Sequence, residues 1–164
     1  MKALRFSKTI ISLILLTATI FIVSGCSIDS PGTSDYVGTI KNEMLEAVNL
    51  TRKLKTQQQE LDVRKSNDAA DTRETLEGLD QVYTNLLHVE APEGYTDLDT
   101  DIKTNAEAAL GYISELSSLV NTAETTGDDA LYKQESVHIM QEYEICYNEL
   151  VDLNSQVTTR YRND

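Results

Sequence analysis

From Tyr36 onward, apolar residues recur every three or four positions, the spacing that lines one face of an α-helix. Four such stripes succeed one another. The first runs Ile40, Met44, Ala47, Thr51, Leu54, Gln58, Leu61; Thr51 and Gln58 dilute it, so this helix is expected to be only partly buried. Ser66-Asn67-Asp68 interrupts the pattern, and Asp71 with Glu74 three residues later reads as a capping box opening a second helix. Its stripe is Leu76, Leu79, Tyr83, Leu86, with Val82 and Leu87 alongside. Pro92, in Glu90-Ala91-Pro92-Glu93-Gly94, cannot continue that helix and pushes Ala91 towards an extended conformation. Thr96 with Asp99 forms the next box, ahead of Leu98, Ile102, Ala106, Ala109, Ile113, Leu116, Val120 and Ala123. Gly127 is a natural stop, and Asp128 or Asp129 caps a fourth helix. Its stripe of Tyr132, Ser136, Ile139, Tyr143, Cys146, Leu150, Leu153, Val157 and Tyr161 approximates a heptad seam.

No segment alternates apolar and polar residues as a half-buried strand does. The expected fold is all-α, an antiparallel bundle of four helices. The alternative is three, if Ala69 and Ala70 carry the first helix across the break at Ser66 as one long bent rod. The core is expected to be Leu, Ile, Val and Ala, with Tyr at its edges, ring buried and hydroxyl in water.

The N-terminus has a different pattern. Met1 to Lys8 carries three basic residues, and Thr9 to Val23 is an almost unbroken apolar run. Its 15 residues fall short of the roughly 20 that span a bilayer as a helix. A basic start, a short apolar run and small residues after it form the signature of a secretory signal peptide. Ser27 to Asp35, with Pro31-Gly32 and small polar residues, reads as a flexible tether. The chain thus divides into three parts: a signal over 1–25, Cys26 with the tether over 26–35, and a helical domain over 36–164.

Splitting the chain this way changes what its charge means. The whole carries −13, but residues 1–25 hold three basic and no acidic residues, so the remainder stands at −16. That balance excludes a nucleic-acid binder, which needs a basic face. Both phenylalanines, Phe6 and Phe21, fall in the signal, so every aromatic of the exported part is Tyr. Two cysteines, Cys26 and Cys146, exclude a disulfide framework and a four-cysteine zinc site.

Candidate chemistry is sparse. Asp97, Asp99 and Asp101 have the first three acidic positions of a calcium loop, but Ile102 stands where its Gly belongs and Ala108 where its Glu belongs. The three acids instead complement a helix N-terminus. Glu135 and His138 make one Glu-x-x-His element, whereas a di-iron bundle needs two, and Asn85 stands three residues before the other histidine, His88. Cys146 falls in an apolar seam, as a buried and inert thiol would. Arg52-Lys53-x-Lys55 is expected to pair with neighbouring acids. With no Ser-His-Asp order and no glycine-rich phosphate loop, neither a catalytic residue, a cofactor nor a metal ligand is assigned, and the chain is expected not to be an enzyme.

Val23-Ser24-Gly25-Cys26 resembles the lipobox of bacterial lipoproteins. The resemblance implies that Cys26 receives a diacylglycerol thioether and that cleavage after Gly25 leaves it as the first residue. Two acyl chains hold a protein to a membrane stably where one does so only marginally. Together with the tether and the helices, the motif makes the chain similar to small Gram-positive cell-surface lipoproteins of unknown function. Leu86-Leu87, Ala91-Pro92-Glu93-Gly94-Tyr95 and Leu98 are similar to a Leu-x-Ala-Pro-x-x-Tyr helix junction of such families, from which Gly94 departs. The resemblance implies a lipid-anchored protein on the extracytoplasmic face of the cell membrane. Its expected function is that of a binding or scaffolding module for an envelope protein; the alternative is a receptor for a small ligand or cation.

Overall fold

The computed structural model describes residues 32–65 and 67–163, which form four helices and, among the described residues, no strand. They are α1 (Thr33–Glu60), α2 (Asp68–His88), α3 (Thr96–Thr126) and α4 (Asp129–Asn163). The first helix ends at Glu60 and the second begins at Asp68, so the three-helix alternative is not adopted. Each helix packs on the next in sequence, and α4 returns to pack on α1. Diagonal helices do not meet at backbone distance, so the bundle is a square ring closed by the α1/α4 seam, its most open one.

The stripes face inward as their spacing dictates. Ile40, Ala47, Leu54, Leu76, Leu79, Leu86, Ile102, Ala109, Leu116, Val120, Leu150 and Val157 are completely buried. Two positions in the fourth stripe shift. Met140 is buried where Ile139 is only half-buried, and Tyr161 is exposed. Straight helices drift against a 3.5-residue repeat, which is why neighbouring positions exchange along so long a helix.

The tyrosines depart furthest from expectation. Tyr36, Tyr83, Tyr95, Tyr132 and Tyr143 are buried outright rather than lying at the edge with wet hydroxyls. A core without Phe or Trp fills its large gaps with these rings, and the hydroxyls of Tyr83 and Tyr143 then find partners inside. Thr51 and Gln58 obey the same logic. Thr51 is buried and Gln58 half-buried, and each bonds to α4, so α1 buries its diluted stripe after all.

Helix ends show which local signals survive. Gly127 adopts φ +70°, the left-handed turn that its lack of a Cβ permits, and donates its N–H to the Ala123 carbonyl. The Asp128 carboxylate accepts the N–H groups of Ala130 and Leu131 at 3.0 and 3.2 Å, capping α4 as expected. Neither capping box forms. The Asp71 N–H already bonds the Asn67 carbonyl, so α2 starts at Asp68, whose carboxylate turns back to the N–H of Asp62. Likewise the Asp99 N–H bonds the Tyr95 carbonyl, which places Thr96 inside α3. At the N-terminal side, α1 takes in Thr33, Ser34 and Asp35, three residues expected in the tether.

Candidate functional site

The residues expected to serve processing and anchoring, Val23, Ser24, Gly25 and Cys26, lie outside the described residues, as does the expected signal over 1–25. The other sequence candidates are placed. Asp97, Asp99 and Asp101 sit in the first turns of α3 and form no loop. Asp97 forks onto Arg160 with bonds of 2.6 and 2.8 Å, while Asp99 pairs with Lys103 at 2.8 Å. His138 is exposed and lies 3.9 Å from Glu142. Among the described residues no group of three or more His, Cys, Asp or Glu could hold a metal ion. Nor, among them, is any helix long and apolar enough to cross a membrane.

Between the helices lies a set of buried polar contacts. The Thr51 and Tyr143 hydroxyls are 2.7 Å apart, and the Tyr83 hydroxyl donates to Tyr143 at 3.5 Å. Two turns away the Gln58 amide donates to the Ser136 hydroxyl at 3.2 Å. Across the neighbouring α3/α4 seam the Asn105 amide donates to the Cys146 carbonyl and to Glu149, at 2.9 and 3.0 Å. Burial raises the Tyr83 and Tyr143 hydroxyls above the usual phenol range and pushes Tyr132 up to about 12. Burial, reinforced by Glu149, also raises the Cys146 thiol, which keeps it protonated and unreactive. These groups therefore stay neutral.

One end of the bundle is latched. Arg160 near the end of α4 also donates to the Gly94 carbonyl and stands 5.6 Å over the Tyr95 ring, which meets Tyr36 edge-on at 5.6 Å. The bond from Arg160 holds the Asp97 carboxyl far below the usual carboxylate range. Burial, with Asp99 beside it, raises the Tyr36 phenol well above its ordinary value. The α1 N-terminus, the α2–α3 junction and the C-terminal turn are thus tied together at this end.

The outer surface is sharply divided. α2 and α3 carry eleven acidic and two basic residues, whereas α1 carries four of each and α4 six acidic and three basic. Among the described residues the five exposed large apolar side chains, Leu45, Val137, Ile145, Val151 and Tyr161, all belong to α1 and α4. On α1 the steps Lys41, Leu45, Val48, Arg52, Lys55 and Gln59 mark one stripe beside the α4 seam. On α4 the matching stripe is Lys133, Val137, Gln141, Glu144, Asn148 and Val151. The Lys55–Glu144 pair at 3.1 Å joins the two. Of the Arg52, Lys53 and Lys55 run, only Lys55 has an ion pair among the described residues.

A groove of 540 Å³ opens along this seam, rimmed by Gln58, Gln59, Lys133 and Gln141, with Val137 and Met140 in its lining. A smaller cavity of 160 Å³ lies between the end of α1 and the start of α2, lined by Gln57, Glu60, Leu61, Asp68, Asp71 and Thr72. The sequence stripes run through the core and pass over the α1/α4 surface. The signal that finds it is a second periodicity, offset towards solvent, which carries meaning only once α4 is known to close on α1. Compared with models of protein families, with curated proteins and with solved structures, the chain finds no match.

Proposed function

We propose that this protein is a lipid-anchored helical binding module, held by Cys26 on the extracytoplasmic face of a cell membrane, that presents its α1/α4 face to an envelope protein. One observation carries the docking face: among the described residues every exposed large apolar side chain lies on α1 or α4, and none on α2 or α3. Exposed apolar side chains gathered on one pair of adjacent helices, among polar groups, mark that pair as the interaction face. The anchor rests on the lipobox-like Val23-Ser24-Gly25-Cys26. With α1 starting at Thr33, six residues separate Cys26 from the helix, a reach of about 20 Å. The domain then stands close to the bilayer with its latched end nearest, and the α1/α4 face runs outward along the roughly 45 Å length of the helices. No catalytic role is proposed.

A photo-reactive residue placed at Val137 or Val151 tests the docking face in intact membranes. Adducts with an envelope protein are expected there and not from Glu77 on α2 or Glu115 on α3. Equal labelling from all four positions, or none from α4, overturns the reading. For the anchor, Cys26→Ser is expected to accumulate uncleaved precursor; release from the membrane without precursor sinks it. The alternative, a receptor for a small ligand or cation, has less behind it. The Thr51, Gln58 and Asn105 side chains all bond to α4, and the cavity at the far end is only 160 Å³.

A further inference from the structure

The α1/α4 groove also specifies the chemistry of its occupant, an inference that rests on the docking face proposed above. On a chain that is otherwise strongly acidic, the two stripes bordering the seam hold four basic residues, Lys41, Arg52, Lys55 and Lys133, against one acid, Glu144. Lys55 and Glu144 neutralise each other at 3.1 Å. Lys41, Arg52 and Lys133 are exposed and have no ion pair among the described residues. The acids of α1 are turned elsewhere; Glu43, for one, bonds Asn85 on α2 at 3.1 Å. We infer that the α1/α4 face takes an acidic amphipathic helix of another protein, one end of its apolar stripe seated on Val137 in the groove and the rest running along the face past Leu45 and Val151, with its carboxylates facing Lys133 at the groove and Arg52 and Lys41 beyond it.

Charge and shape choose this occupant over the others. A second copy docked by two-fold symmetry would set the same cations against each other, because an isologous contact pairs a patch with itself. A bilayer is flat and leaves a 540 Å³ groove unfilled, whereas a helix laid between two helices fills it. Complementary charge also separates partners: the acidic α2/α3 side repels an acidic helix and so confines it to this one face.

The full chain, expressed in cells and purified in a zwitterionic detergent, is titrated with two fluorescent synthetic helices that share one leucine stripe. One carries glutamates beside the stripe, the other lysines. The glutamate helix is expected to bind, and to weaken roughly tenfold or more with the double reversal Arg52→Glu/Lys133→Glu and again in high salt. The single change Val137→Asp is expected to weaken it as well, while Glu115→Lys on α3 leaves it unchanged. Helicity by circular dichroism confirms that each variant folds. Preference for the lysine helix, or indifference to the double reversal, overturns the inference. So does binding to phosphatidylglycerol vesicles without binding to either helix, or a dimer that occludes the groove. If Val137 cross-links to an envelope protein yet the glutamate helix fails to bind, the docking face stands and only its acidic partner falls.

Discussion

Two tyrosines eleven residues apart on α4 are both completely buried, yet their hydroxyls should respond oppositely to removal. Tyr143 stands 2.7 Å from the Thr51 hydroxyl and accepts from Tyr83 at 3.5 Å. Tyr132 has a buried hydroxyl with no hydrogen-bond partner among the described residues. Tyr143→Phe deletes a short bond and leaves the Thr51 hydroxyl, on a residue only 2% exposed, without its partner. A lost bond together with an orphaned buried hydroxyl costs about 2 kcal/mol. Tyr132→Phe removes a group that was desolvated without return, so it should be neutral or stabilise by up to about 1 kcal/mol. Adding Thr51→Val to Tyr143→Phe replaces both partners by apolar groups of similar shape and should recover part of the loss. Urea unfolding monitored by circular dichroism measures all four chains. With a denaturant slope of about 2 kcal/mol per M, the two Tyr→Phe midpoints should differ by about 1 M. Equal midpoints, or a Thr51→Val/Tyr143→Phe double variant less stable than Tyr143→Phe alone, would refute the claim that the 2.7 Å pair is a bonded unit in the core.

Three further outcomes rest on the same structure. Gly111 sits in mid-α3 with open space where a Cβ would go, so Gly111→Ala should stabilise by about 1 kcal/mol, whereas Gly127→Ala, at φ +70°, should cost about 1 kcal/mol; thermal unfolding checks the pair, and shifts of the same sign contradict it. The Asp97 carboxyl is depressed when folded, so its contribution is fully present above the unfolded carboxylate range near pH 4 and is lost as pH falls below that. The stability gap between the native chain and Arg160→Gln should therefore be constant from about pH 5 to 7 and narrow below about pH 4, and a gap that widens in acid rules this out. Finally, the Cys146 thiol, buried and raised in pKa, should react with iodoacetamide only as fast as the bundle opens, so labelling in native buffer at the rate seen in urea would contradict its placement.

The sequence alone determined the local features. Spacings of three and four placed nearly every buried aliphatic residue of the four helices, because a side chain's face within a helix depends only on its own position along 3.6 residues per turn. Gly127 and Asp128 were legible for a similar reason: a left-handed turn and an N-cap are satisfied by atoms within a few residues. The capping boxes at Asp71 and Thr96 failed because both helices begin earlier, so that the Asp71 and Asp99 N–H groups already bond the Asn67 and Tyr95 carbonyls. Asp68 turned to the loop before it, and Asp97 met an arginine 63 residues away.

Tertiary structure decided what pairs across the ring. Thr51 finds Tyr143 over 92 residues and Gln58 finds Ser136 over 78, so residues that looked like flaws in a stripe became interhelical bonds. Without Phe or Trp after residue 25, tyrosine rings had to fill the core, and that filling drew their hydroxyls in. The cations along α1 and the valines along α4 likewise look ordinary in sequence, where more than two helices of chain separate them. They become one basic, apolar face only because the last helix packs against the first. Periodicity says which residues face inward; only ring closure says which of the outward ones face the same way.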